Sequence, residues 1–201
     1  MDWLEFENEA YSEGFEIVCG VDEAGRGPLA GPVYAAAVIL PKGHIIEGVN
    51  DSKKLSEKKR DELFDKVIEE CVCYGIGTAS EKEIDEINIL QATFLAMRRA
   101  VEALDVKPDI ALIDGNRLPG LDIAERYIIK GDAKSASIAA ASILAKVSRD
   151  RYMLEMAEKY PEYQFEKHKG YGTKLHYEMI EKYGVSPIHR RTFLKKILND
   201  E

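Results

Sequence analysis

Short apolar blocks and longer stretches of helical period alternate along this chain, and their order predicts its elements. A strand is expected over Glu16 to Val21 and a second from Val33 to Leu40, joined by a Gly/Pro-rich connection through Asp22 to Pro32. After a loop from Pro41 to Ser52, Leu55 to Glu70 has helical spacing, with Leu63, Val67 and Ile68 on one face. A strand around Cys71 to Thr78 follows. Ser80 with Glu83 three residues on has the form of a capping box, and Glu81 to Leu104 carries Ile84, Ile87, Leu90, Phe94, Leu95, Met97 and Val101 along an amphipathic helix. Asp109 to Asp114 and Arg126 to Lys130 read as short strands stopped by Gly115 and Gly131. Ser135 to Tyr160, free of Gly and Pro, predicts one long helix or two, and more helix is expected over Lys174 to Tyr183 and Arg190 to Leu198. Strands first, then strands alternating with helices, then a helical end predict an α/β fold: a mixed β-sheet flanked by helices, with a helical C-terminal part.

At 201 residues with 45% hydrophobic and 32% charged positions, the chain is sized for one domain with an ample core. The longest apolar run is far shorter than the roughly 20 residues of a membrane span, and no apolar segment follows a basic start. Three cysteines without zinc-ligand partners at usable spacing indicate neither a disulfide framework nor a structural zinc. A soluble protein of a reducing, cytoplasmic setting is therefore expected. The net charge of −8 argues against bulk-basic coating of nucleic acid, but it is uneven: residues 1–133 sum to −12 and residues 134–201 to +4. A locally basic section can still grip a polyanion, because counterion release depends on the cations that face phosphates. A solvated helical surface accounts for the same charges.

Carboxylates gather at strand ends. Asp22 and Glu23 follow IVCGV, Asp114 follows IALI, and Asp132 follows RYIIKG. If those strands lie side by side, their ends form one rim, where open α/β sheets hold ligands. Four acids in one small space raise one another's pKa and need cations beside them. Hard oxygen ligands with no Cys or His cluster suit Mg2+ or Mn2+ better than Zn2+. Each acid also has an ordinary reading as a turn former or helix cap, and for Asp132, just before a helix start, position alone does not choose.

The loop Gly25-Arg26-Gly27 lets backbone approach a ligand closely and carries a cation there, or it is simply a tight connection. Further cations sit at Lys53 and Lys54, at Lys134 beside Ser135, at Lys146 and Arg149, and at His168 and Lys169. Tyr171, between Gly170 and Gly172 and next to His168 and Lys169, is suited to stack on a sugar or base. A polar turn capped by Thr173 explains that stretch equally well.

Five motifs in order, VDEAGRGP at 21–28, DSKKL at 51–55, IDG at 113–115, KGDAKS at 130–135 and HKGYGT at 168–173, resemble prokaryotic ribonuclease HII, the type 2 ribonuclease H. The resemblance spans about residues 16–190, and the long N-terminal extension typical of the related ribonuclease HIII is missing. It implies a ribonuclease H-like catalytic domain over residues 1–150, and over 151–201 a helical part of the same domain that helps hold the duplex. It implies Asp22, Glu23, Asp114 and Asp132 as catalytic, metal-binding acids, with Asp22 as bridging ligand. Gly25, Arg26 and Gly27 become the substrate-reading loop, and Tyr171 the junction-sensing tyrosine. Lys53, Lys54, Lys134, Ser135, Lys146, Arg149, His168 and Lys169 become contacts to the nucleic acid.

The implied substrates are the RNA strand of RNA/DNA hybrids and ribonucleotides embedded in duplex DNA, cut on the 5′ side at RNA-DNA junctions to leave 3′-hydroxyl and 5′-phosphate ends. Two divalent ions, Mg2+ or Mn2+, about 3.5–4 Å apart in such sites, would activate a water and steady the leaving oxygen. No membrane partner is expected, and a monomer is. Two rivals remain at the level of sequence: a nuclease of the same fold that acts on DNA alone, and a non-catalytic nucleic-acid-binding module.

Overall fold

The computed structural model describes residues 2–49 and 55–198. In chain order the main elements are α1 (Glu5–Ser12), β1 (Val18–Ala24), β2 (Val33–Ile39), α2 (Glu57–Glu70), β3 (Cys73–Ala79), α3 (Glu81–Glu102), β4 (Ile110–Asp114), β5 (Ala124–Ile128), α4 (Ala136–Lys159), α5 (Phe165–His168), α6 (Lys174–Tyr183) and α7 (Lys195–Leu198). The strands make one mixed sheet in the order β3-β2-β1-β4-β5. β1 is antiparallel to β2 and β2 to β3, whereas β1, β4 and β5 run parallel.

Alternation within the strands sets the layers, since successive side chains point to opposite faces. Ala35, Ala37 and Ile39 of β2 join Cys19 and Val21 of β1 in a cluster with Ala92, Ala96, Met97 and Ala100 of α3. Ala36 and Val38 face the other way, onto Leu63 and Val67 of α2 and the alanine-rich stretch of α4. Under the parallel strands, Val18, Ile110, Leu112 and Ile128 pack on Ile138 of α4 and Ala10 of α1.

Small residues let these layers close. A Cβ on Gly20 would lie 2.2 Å from the Ser137 carbonyl carbon, and one on Gly75 would lie 2.1 Å from the Ala100 carbonyl oxygen. The α4 backbone therefore rests directly on β1, and the α3 backbone on β3. Among the described residues no helix is long and apolar enough to cross a membrane.

Five elements differ from expectation. β1 runs on through Asp22 and Glu23, because pairing with β2 continues to Ala24 opposite Tyr34. β5 begins and ends two residues early, and the left-handed backbone of Lys130 (φ 57°) turns the chain into a 3-10 turn at Gly131–Ala133. The predicted helix over 81–104 bends at Asn88 (φ 67°), whose Oδ1 accepts from the amides of Leu90 and Gln91 and so caps a second helical piece. The capping box at its start is present, with Ser80 and Glu83 bonded reciprocally.

At the other end of the chain, a 3-10 turn at Arg191–Phe193 precedes α7 where one helix was expected. α1 was not foreseen at all. Its buried Glu7 accepts from Ser135 Oγ (2.6 Å), Ser137 N (3.0 Å) and Ser137 Oγ (2.6 Å), which seats a carboxylate at the N-terminus of α4.

Candidate active site

The carboxyl ends of the three parallel strands form one rim, and the acids stand along it. Val21 pairs with Ile113 across β1 and β4, so the next residues, Asp22 and Asp114, are neighbours at the strand ends. Asp22 shares the face of Gly20 and points toward α4, where Ser142 hydrogen-bonds it. It is only 4% exposed. Burial, then the charges of Glu23 and Asp114, push its carboxyl well above the usual range; the bonds from Ser142 and from the Glu23 amide (2.7 Å) oppose this.

Asp114 closes β4, and its Oδ1 accepts from the amides of Gly131 (2.6 Å) and Asp132 (3.4 Å). That clamp curls the chain after β5 round Asp114 and brings the buried Asp132 to the rim. Glu23, of opposite parity to Asp22, lines a cavity of about 330 Å³ together with Arg26, Thr93, Asp114, Asn116 and Arg117. The Arg26 guanidinium stands 3.5 Å from Glu23 Oε1.

Among the described residues, no three Asp, Glu, His or Cys side chains are already gathered as an ion-holding cluster. In charge and donor type, however, the rim fits a hard divalent cation. Its four acids offer carboxylate oxygens, and at its centre a buried acid is held against the charges of two others.

Beside the rim, the Gly25–Gly27 loop and Tyr171 are neighbours: a Cβ on Gly27 would lie 3.8 Å from Tyr171 Cε1. The tyrosine is 42% exposed, with the Lys146 ammonium 5.9 Å and the Arg149 guanidinium 5.7 Å from its ring centre. Two arginines lie wholly buried beneath. Arg190 donates to the carbonyls of Gly31 (2.8 Å), Arg26 (3.0 Å) and Gly25 (2.5 Å). Arg149 donates to those of Pro32 (3.3 Å), Lys169 (3.0 Å) and Ala30 (3.1 Å). Burial, and next the charge of Arg149, lowers the Arg190 pKa to about 9, still protonated at neutral pH.

The other sequence-predicted contacts divide by exposure. Arg26 is exposed, Lys134 is half-buried beside the Asp132 turn, and Lys146 pairs with Asp150 at 2.7 Å near Tyr171. Lys169 reaches the carbonyl of Glu166 (2.8 Å). Ser135 is buried as the N-cap of α4, donating to Glu7 and accepting from the Ile138 amide. His168 is buried between the Tyr163 carbonyl (3.0 Å) and the Gly170 amide (3.2 Å). Arg149, Ser135 and His168 thus have internal partners and underlie the rim. Lys53 and Lys54 lie outside the described residues.

Sequence reasoning passed over Asn116 and Arg117, though their place just beyond Asp114 and Gly115 signals them. It also passed over Arg190, whose position in SPIHRRTF resembles a surface basic run.

A parallel-strand rim of carboxylates on a mixed sheet packed by helices on both faces defines a metal-dependent nuclease of ribonuclease H-like fold. The family model for ribonuclease HII matches residues 19–196. Ribonuclease HII of Caldicellulosiruptor bescii is 59% identical over 198 residues, 98% of this chain and 96% of its own. That of Clostridioides difficile is 60% identical over 193 residues, 96% of this chain and 76% of its own. The crystal structure of ribonuclease H2 from Pyrococcus horikoshii OT3 superposes with a TM-score of 0.74 at 33% identity, over 88% of this chain and 93% of that one. The chain belongs to the ribonuclease HII family, and is a divalent-metal-dependent endoribonuclease of RNA/DNA hybrids.

Proposed function

We propose that this enzyme incises on the 5′ side of a ribonucleotide at an RNA-DNA junction, including single ribonucleotides embedded in duplex DNA, and leaves 3′-hydroxyl and 5′-phosphate ends. The observation that carries the reading is the rim itself: Asp22 and Asp114 side by side on β1 and β4, flanked by Glu23 and Asp132. Asp22 would be the central ligand, because it is the most deeply enclosed of the four acids and feels the charges of both Glu23 and Asp114. When bound there, a pair of Mg2+ or Mn2+ ions supplies charge neutralisation and an activated water for in-line displacement at phosphorus. Glu23, Asp114 and Asp132 would complete the carboxylate set, and the amide clamp on Asp114 ties the turn after β5 to the end of β4.

Selectivity for ribose needs a reader of the 2′-hydroxyl, the group that distinguishes RNA from DNA. The Gly25 and Arg26 carbonyls are engaged by Arg190, so the loop meets that hydroxyl chiefly through its N–H groups. Tyr171 adds its phenol and a ring face for the neighbouring sugar. Lys134, Lys146 and Lys169, with Lys53 and Lys54, position phosphates, and residues 151–201 hold the duplex against the catalytic part, residues 1–150. One copy carries all four acids, which supports a monomer, and the three cysteines, all free, accord with a cytoplasmic setting.

The deciding experiment uses duplex DNA with one ribonucleotide, in Mg2+ and in Mn2+, with the cut mapped to the nucleotide. A single 5′ incision is expected. Comparable cleavage of an all-DNA duplex would overturn the reading in favour of a general nuclease.

A further inference from the structure

We propose that the segment Ser186–Arg190 is a strut that fixes Tyr171 against the Gly25–Gly27 loop, with His189, His176 and Arg190 as its positioning residues. The inference rests on the proposed role of that loop and tyrosine in reading ribose. Its basis is a buried hydrogen-bond chain that has only one self-consistent direction.

The Ser186 amide donates to His189 Nδ1 (2.8 Å), so that nitrogen carries its lone pair, the Ser186 hydroxyl 2.7 Å away donates to it as well, and the proton sits on Nε2. His189 Nε2 lies 3.0 Å from His176 Nε2, which must then accept, and the remaining proton of His176 is on Nδ1, 3.0 Å from the Tyr171 carbonyl. Each donor meets an acceptor, and reversing either imidazole would set two N–H groups, or two lone pairs, against each other. His168 stacks on His176 at 4.3 Å between ring centres and is itself held by Gly170 and Tyr163.

The next residue carries the same segment to the other loop. The Arg190 guanidinium takes the carbonyls of Gly25, Arg26 and Gly31, and its amide donates to Leu29 O (2.8 Å). Gly31 N donates to Ile188 O (2.9 Å) and Leu29 N to Gly170 O (2.8 Å), which ties all three stretches together. Two consecutive residues, His189 and Arg190, therefore span from the tyrosine's backbone to the glycine loop.

Plain packing does not explain such chemistry. Polar and charged groups are costly to bury, and apolar side chains of equal volume stabilise a core at least as well. What directional bonds add is placement, and a reading site tolerates only about 0.5 Å of error.

The test has three arms. First, 15N NMR of the histidine rings in the wild-type enzyme should show His176 protonated at Nδ1 and His189 at Nε2; the opposite tautomers would overturn the proposal. Second, His176→Phe keeps a ring but no donor, whereas His176→Asn places an amide N–H2 where Nδ1 stood. The Phe variant should lose about tenfold in kcat/KM on the single-ribonucleotide duplex, the scale of one lost hydrogen bond. The Asn variant should recover most of it despite its smaller side chain. Equal activity of the two variants, or wild-type activity of the Phe variant, would refute positioning.

Third, Arg190→Lys keeps a charge but not the fork, so amide hydrogen exchange over residues 25–31 should quicken while β1 and β4 stay protected. Unchanged loop exchange, or loss of protection throughout, would likewise refute it. Tautomers and exchange are read without turnover, so they decide the strut even if the wild-type enzyme proves indifferent to ribose.

Discussion

Asp22 concentrates what is unusual about the rim. A buried carboxyl whose pKa is raised by burial and by Glu23 and Asp114 is a liability in the metal-free fold. Asp22→Asn removes that charge while keeping the shape and an acceptor for Ser142. Cleavage should fall by about a hundredfold or more, as expected for loss of a metal ligand. The melting temperature in EDTA should rise, by roughly what 1 kcal/mol supplies. A lower melting temperature would mean that Asp22 serves the fold before it serves the ion. The same trade was readable in the sequence only halfway: four acids at strand ends were visible, but not that Asp22 and Glu23 belong to β1 and so face opposite sides of the sheet. Buried cations were harder still to foresee. Nothing in the pattern KVSRD distinguishes Arg149, which is enclosed, from Lys146, which is only partly covered where it pairs with the buried Asp150.

At the scale of elements, legibility followed the strength of local signals. β2, with its unbroken apolar run, and the start of α3, with its capping box, were plain because propensity, period and cap agreed. α1 was missed because eight residues with three glutamates look like a solvated terminus, and its key contact, Glu7 with Ser135 and Ser137, is made far along the chain. The bend at Asn88 was missed because apolar positions continue across it. In the sequence Gly20 reads only as part of a strand, yet it is where α4 meets β1. Gly20→Ala would force a methyl group into the Ser137 backbone, with an overpacking cost of about 1–3 kcal/mol. A fall of about 2–12 °C in melting temperature should follow. If the variant melts with the wild type, the α4–β1 approach is looser than described.

For the whole molecule, acidity is the sharpest probe of the C-terminal part. Burial first, then a neighbouring histidine, lowers His176 and His189 to about 4, so both are neutral in the fold but protonate near 6.5 once unfolded. The unfolded chain thus binds more protons below neutrality, and stability is lost as pH falls from about 6.5 toward 4, by about 3 kcal/mol for each histidine at full extent. Urea midpoints measured across that interval should drop, and His176→Phe should flatten the slope; a flat wild-type profile would show that these imidazoles are not the neutral pair described. The two arginines under the reading loop behave oppositely. Their protons stay on across the physiological span, so this acidic protein keeps a constant positive potential directly behind the one surface that should greet a phosphate chain. Because that potential originates in the interior, dissolved ions reach it poorly, and added salt should erode the hold of peripheral lysines well before it erodes the pull at the centre.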